Sequence, residues 1–317
     1  MHPPGRAHQT YPIVRDVFIL VVFSLAVISA IQIARQTRFD AHPDELAHVG
    51  GFCYFENQLW PPDLNADGLI YCDYGWSRVY DRQLVYLLYG QLAHLGRTVA
   101  GMDPEVRTAT DTNEAQAGSQ QLTPLALSWS TCRDRAAVIV GGYRTFNIAL
   151  FSITLFILFL AGHKHPWAWL IGLTMVCIPQ VIYLYAYANS DAWGLSMSVF
   201  LFVFVLTRVD SLFRSRWNLL GLAVLTGLVI LSKETFWAAL PLIYLLVGWS
   251  LYLEWQREHM TALRRAAFSL VAVAVVTILI VAPMRVYYPL TQGDFAAKVE
   301  AMREMRAAQD FKPSHPI

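Results

Sequence analysis

Residues 17–34 read VFILVVFSLAVISAIQIA and hold no charged side chain. A helix rising about 1.5 Å per residue over such a run nearly crosses a hydrocarbon core of about 30 Å. Further runs of the same kind recur after residue 137, and the charges cluster between them. The chain of 317 residues is 56% hydrophobic and only 15% charged, with a mean hydropathy of +0.39. A soluble domain carries about 25% charged residues. The fold class is therefore an all-α polytopic membrane protein. The mean hydropathy is modest because one long polar loop dilutes it. A net charge of +1 gives no electrostatic grip on nucleic acid.

A signal peptide would want a shorter apolar core and a small-x-small cleavage site. The stretch AVISAIQIARQ offers only a weak one, so the first run is read as a span. About seven spans are expected, near 14–34, 138–160, 167–187, 191–207, 218–232, 235–253 and 266–283, of which 218–232 is short. Arg6, Arg15, Lys164, Arg208, Arg214, Arg216, Arg257, Arg264 and Arg265 then share one side, while the short loops YANSD and LSKET opposite hold a single Lys. By the positive-inside rule the N-terminus is cytoplasmic. The expected organisation is a cytoplasmic N-terminus at 1–13, a first span at 14–34 and an extracytoplasmic loop at 35–137. A six-helix region at 138–283 and an extracytoplasmic tail at 284–317 follow.

Within the loop, LVYLLYGQLAHLGRTVAG (84–101) reads as a helix lying in the membrane interface, with a buried hairpin pair as the alternative. Residues 103–123 are small and polar and read as flexible. FAAKVEAMREMRAAQ near the C-terminus has the spacing of a solvated amphipathic helix. Cys177 lies in an apolar run and is read as packing. Cys53, Cys72 and Cys132 share the loop, so one disulfide among them is expected if the loop faces an oxidising space.

The densest titratable cluster is RFDAHPDELAH, residues 38–48, at the exit of the first span. Asp44 and Glu45 behind Pro43 make a good helix start, and capping is one reading. The other is a general base or metal ligand at the membrane surface, where an apolar boundary raises a carboxyl pKa. His42 and His48 are six apart, the wrong spacing for a metalloprotease helix. His48 shares a helical face with Glu45 and is read as its hydrogen-bond partner. Three more groups belong to the same side. Asp191 in YAYANSDAWG either caps a helix, a job Asn189 or Ser190 could also do, or serves a site. Lys233 in LSKETFW either snorkels to the interface or anchors an anionic head group. Arg144 snorkels, holds a phosphate, or pairs with Asp191.

In this order and spacing, FDAHPDELAH, YGQLAHLG, GGYRTFNIALFSITLFILFL, YAYANSDAWG and LSKETFWAALPLIYLL resemble the C-type (GT-C) glycosyltransferases across about 12–285. The protein mannosyltransferases and the lipid A aminoarabinose transferase are the nearest characterised subgroups. PDELAH and NSDAWG are also similar to motifs of a less characterised bacterial branch. The resemblance implies an integral-membrane transferase of the bacterial inner membrane, its active site facing outside. It would move a sugar from a polyprenyl-phosphate donor, with inversion, to a hydroxyl on a glycan, lipid or protein acceptor. Asp44 would be the base or acceptor-orienting carboxylate, supported by Glu45. Asp191, and His48 beside the acids, would position substrate, while Lys233 and Arg144 would hold the donor phosphate. A divalent cation, Mg or Mn, is implied only in some subgroups and would sit at Asp44 and Glu45. Family members commonly have more spans and a soluble C-terminal part, which leaves a short form, half of a split enzyme and a truncated fragment as readings of this chain. Two rivals are a transporter or flippase of a lipid-linked saccharide, and a non-catalytic scaffold of a glycan-assembly complex. The transporter reading calls for Gly/Pro-interrupted segments in a pair, and none stands out in the sequence.

Overall fold

The computed structural model describes residues 10–38, 45–61, 82–99 and 136–300. They form helices, and no strand occurs among them. The chain divides into two compact units. One comprises Met1–Arg38 with Arg144–Val281, and the other Phe39–Tyr143 with Ala282–Ile317.

The first unit holds α1 (Thr10–Gln36) and most of α4 (Ala136–Gly162). It continues with α5 (Pro166–Cys177), α6 (Pro179–Ala186), α7 (Asp191–Arg208), α8 (Arg216–Ile230) and α9 (Ala239–Ala282). Among the described residues five helical segments are long and apolar enough to cross a membrane, α9 supplying two of them either side of His259, or six when the bent pair α5–α6 counts as one span. The segment expected at 218–232, α8, has 15 residues and is shorter than a comfortable span.

Hydrogen bonds and ion pairs tie the ends of these helices into two layers. At one end, Arg15 lies 4.1 Å over the Trp169 ring and Asp16 stands 3.8 Å from His163, joining the start of α1 to the α4–α5 turn. The same layer pairs Arg214 with Glu254 at 3.2 Å and Arg257 with Asp210 at 3.3 Å, joining the α7–α8 turn to α9. At the other end, Arg144 reaches the last carbonyls of α1, Asn147 reaches the α6–α7 turn, and Lys233 meets Asp191. Each apolar segment, α8 included, thus runs from one layer to the other.

Three local departures from the sequence reading have plain causes. Pro179 forces Ile178 into extended backbone (φ −98°, ψ 105°), and the expected span at 167–187 is instead two helices bent by 77°. The expected loop at 254–265 is helical, because Glu, Gln, Arg, Met, Ala and Leu favour helix. The chain breaks only at His259, where φ is +49°. The last span does not stop near 283. Pro283 lacks the donor an α-helix needs, and a wide π turn over Pro283–Tyr287 carries the helix on to Thr291.

Two apolar cores hold the first unit. Phe23, Ala30, Phe151, Leu155, Leu158 and Tyr185 centre the core of α1, α4, α5, α6 and α7. Met197, Leu201, Val205, Leu222, Ile243 and Val273 centre that of α7, α8 and α9. Phe268 is 80% exposed and Leu279 68%, an outward apolar surface suited to lipid and not to water.

In the second unit, α2 (Glu45–Asn57) packs on α3 (Leu84–Val99). The contact is close because Gly90 presses on α2 backbone. A Cβ there would stand 2.6 Å from the Phe55 carbonyl carbon and 2.7 Å from the Phe52 oxygen. Phe52 lies 5.1 Å from the Tyr86 ring, 5.3 Å from Tyr89 and 4.6 Å from Tyr143. Glu56, nearly fully buried, pairs with Arg97 and accepts a 2.5 Å hydrogen bond from the Tyr143 hydroxyl. The expected helix at 84–101 is therefore one arm of a helix pair, with Leu92, Leu95 and Val99 exposed on its other face. Burial pushes the Tyr54 hydroxyl up to about 12, so it stays a donor to the Trp60 carbonyl at 3.1 Å. The expected separate tail from 284 belongs to this same unit. Trp60 meets Tyr287 and Tyr288 edge-on at 6.0 and 6.3 Å, and Arg82 lies 4.9 Å over the Phe295 ring. Residues 295–300 are helical, as the amphipathic pattern predicts. Cys53 is disulfide-bonded to a partner outside the described residues, and Cys177 is free. The segment 103–123 also lies outside them.

Candidate functional site

Asp191 opens α7 but does not cap it. The Ala192 N–H donates to Asn189 Oδ1 at 2.9 Å, so Asn189 does the capping. Asn189 is held in turn, donating to the carbonyls of Leu184 (2.5 Å) and Tyr187 (3.0 Å). Asn147 of α4, fully buried, donates to the Tyr187 carbonyl at 2.6 Å and to that of Asn189 at 3.3 Å. Two buried amides thus fix the turn and leave the Asp191 carboxylate available.

Lys233 occupies that carboxylate. Its ammonium stands 2.9 Å from Oδ1 and 3.3 Å from Oδ2, across 42 residues of chain. Its turn is tight. The Leu231 N–H donates to the Gly227 carbonyl at 2.8 Å, and the Phe236 N–H to the Lys233 carbonyl at 3.0 Å. Phe236 then lies on Gly194 of α7, where a Cβ would come within 2.1 Å of the ring. That seat sets the distance between the two turns. The Lys233 side chain is 39% exposed and that of Asp191 23%, so the pair is reachable from outside the fold. Ser190 Oγ, next to Asp191 in the chain, and Trp193 Nε1, on the next turn of α7, are buried and have no hydrogen-bond partner among the described residues.

Arg144 does a different job. Its Nη1 donates to the carbonyls of Ala34 (2.7 Å) and Thr37 (2.8 Å), and its Nη2 to that of Arg38 (3.2 Å). A buried guanidinium thus closes the C-terminus of α1, where the dipole favours a cation. It fixes the chain one residue before the segment that leads into the acidic motif.

Glu45 and His48 belong to the second unit, on the buried face of α2. His48 Nδ1 is 2.8 Å from the Tyr86 hydroxyl, and the rings stack at 5.9 Å, so its partner across the helix pair is Tyr86. Gly51 makes room for that ring; a Cβ there would come within 2.9 Å of Tyr86 Cδ1. His48 is thus placed to hold α2 in register against α3. Asp44, with Asp40 and His42, lies outside the described residues. Among the described residues no group of three or more His, Cys, Asp or Glu side chains could hold a metal ion.

The fold thus joins Asp191 to Lys233 and closes α1 with Arg144. Glu45 and His48 sit in the other unit. The sequence reading offered Asn189 as a possible cap but missed Asn147. The only signal of Asn147 is an amide inside an apolar run, which is costly in lipid unless it bonds. It also missed Glu56 with Arg97, whose partners lie far apart in sequence.

No curated protein and no solved structure matches the chain. The family described as "Predicted membrane protein (DUF2142)" matches residues 107–312, a stretch that includes Arg144, Asp191 and Lys233 and begins after Asp44, Glu45 and His48. A match over more than half of the sequence, together with the apolar helices, makes this chain an integral membrane protein of the DUF2142 family.

Proposed function

We propose that this protein is a membrane glycosyltransferase of the GT-C kind. It moves a sugar from a polyprenyl-phosphate donor to an acceptor hydroxyl at the outer face of the bacterial inner membrane. The observation that carries the reading is the Asp191–Lys233 pair, part-exposed at one end of the helices. A cation at the end of an apolar segment, held by a carboxylate yet reachable, is suited to meet an anionic head group. Lys233 would hold the donor phosphate and stabilise its charge as the anomeric bond breaks. Asp191 keeps the ammonium aimed until substrate arrives. Asp44 would take the proton from the acceptor hydroxyl as that oxygen attacks the anomeric carbon from the opposite face. Glu45 and His48 would hold the start of α2, and with it Asp44. Where a divalent cation takes part, Asp44 and Glu45 are the carboxylates that would bind it.

One observation favours a transporter of lipid-linked saccharide. The α5–α6 segment is broken at Ile178 and bent by 77°, as substrate-binding helices of transporters are. The charged pair, however, lies at the helix ends and not at that break.

The deciding experiment supplies membranes holding wild type, Asp44→Asn or Lys233→Gln with a pool of polyprenyl-phosphate sugars. Consumption of one donor by wild type, and by neither variant at equal expression, supports the transferase. Donor that crosses the bilayer unconsumed supports the transporter. If all three proteins consume every donor alike, the catalytic reading is wrong.

A further inference from the structure

At the end of the first unit opposite Lys233, two guanidinium groups share one buried carboxylate. Arg214 Nε stands 3.2 Å and Arg265 Nη1 3.8 Å from the same Oε1 of Glu254. The Glu254 side chain is 5% exposed, while those of Arg214 and Arg265 are 43% and 47% exposed. One buried carboxylate thus holds two guanidinium groups at the surface. Arg216 and Arg264 stand next along the chain, exposed, with no carboxylate partner among the described residues. Arg216 lies 5.5 Å over the ring of Trp217, which is 67% exposed. Phe268 and Val271, 80% and 62% exposed, continue α9 away from Arg265 as part of the outward apolar surface.

We infer that this cluster is a binding site for the head group of an anionic phospholipid. A guanidinium is a planar fork that matches phosphate oxygens in pairs, and Glu254 holds two such forks in advance. Anchoring on a buried carboxylate removes much of the entropy cost of ordering long side chains. The surplus charge selects an anionic head group over a zwitterionic one. The position selects a lipid over a soluble anion. The cations meet the end of an apolar surface along which acyl chains lie, and Trp217 marks the interfacial level. A bound lipid would bridge the α7–α8 turn and the second half of α9, two segments whose Leu212, Phe213 and Ala266 already share an apolar core.

The test uses the full chain in mild detergent. Bound phosphatidylglycerol and phosphatidylcholine are counted by native mass spectrometry. The variants are Arg214→Gln with Arg265→Gln and Glu254→Gln, a triple change that leaves no buried charge unpaired, and Arg15→Gln at the same end as control. A surface cation is worth about fivefold in affinity for an anionic head group. Wild type and the control should retain phosphatidylglycerol in preference, and the triple variant, with one net positive charge fewer, should lose about fivefold with phosphatidylcholine unchanged. If the triple variant fails to fold, Arg216→Gln with Arg264→Gln, which breaks no ion pair described here, should lower phosphatidylglycerol retention alone. Equal retention of the two lipids by wild type overturns the inference. So does undiminished phosphatidylglycerol on the folded variants, or displacement of that lipid by inorganic phosphate at equal concentration.

Discussion

Lys233 and Asp191 meet across 42 residues, yet as an ion pair they contribute little to stability. Lys233 is 39% exposed, and a pair so open to solvent contributes about 0–1 kcal/mol. Lys233→Gln should therefore move thermal unfolding in detergent hardly at all. If Lys233 stabilises a departing phosphate, the same change should slow donor consumption by about a hundredfold or more. A large loss of stability with activity intact would make the pair structural. At this scale the sequence is legible in part. An Asp or Lys at a polar turn between apolar runs announces itself as costly. Which of Asn189, Ser190 and Asp191 caps α7 does not, because all three are good caps and the choice rests on Asn147, 42 residues away. For the same reason Arg144, a phosphate-binding candidate by its position near the head groups, turns out to hold α1 carbonyls. A guanidinium's partner is a matter of tertiary packing and not of local pattern.

Elements pack where glycine lets them, and α3 offers a paired comparison. Gly90 lies against α2 backbone at distances no Cβ tolerates, whereas nothing stands within 4 Å of a Cβ at Gly96. Gly90→Ala should cost about 1–3 kcal/mol by forcing the helix pair apart. Gly96→Ala should stabilise α3 by about 0.4–1 kcal/mol through the unfolded chain. Protease resistance of the 45–99 region would rank the two, and equal behaviour would refute the close packing. Glu56 makes the companion case. Arg97→Met leaves a buried carboxylate with only the Tyr143 hydroxyl of its two polar contacts and should cost about 3 kcal/mol. Unfolding of the variant in detergent would read it, and a loss near zero would mean the pair is solvated. The helices themselves are legible from apolar runs. The bend at Ile178 was legible too, since Pro179 interrupts the run, but an apolar stretch of span length masks a break inside it. Pro283 likewise marks the π turn that it begins, whereas the positive φ at His259 has no local mark in the sequence.

For the whole molecule, the first unit carries two layers of end contacts, and these decide topology more firmly than helix length does. By length α8 is marginal, with 15 residues. By its ends it is expected to cross, because the α7–α8 turn meets α9 through Arg214–Glu254 and Asp210–Arg257 while the α8–α9 turn joins Lys233 to Asp191. Lys164, exposed in the α4–α5 turn, and Glu234, exposed beside Lys233, then belong to opposite faces. By the excess of Lys and Arg, the Lys164 face is expected on the cytoplasmic side. The free Cys177 is first replaced by Ser, and a cysteine is placed singly at Lys164 or Glu234. Both are probed with a membrane-impermeant maleimide. In intact cells whose outer barrier is permeabilised, Glu234→Cys should label and Lys164→Cys should not. After the inner membrane is opened, both should label. Labelling of both before lysis would mean that α5–α6, α7 or α8 turns back without crossing, and the bend at Ile178 would be the place to look. Labelling of Lys164→Cys alone would keep the alternation but invert it. Lys233 would then face the cytoplasm, and a transferase drawing on an outward-facing lipid donor could not use it.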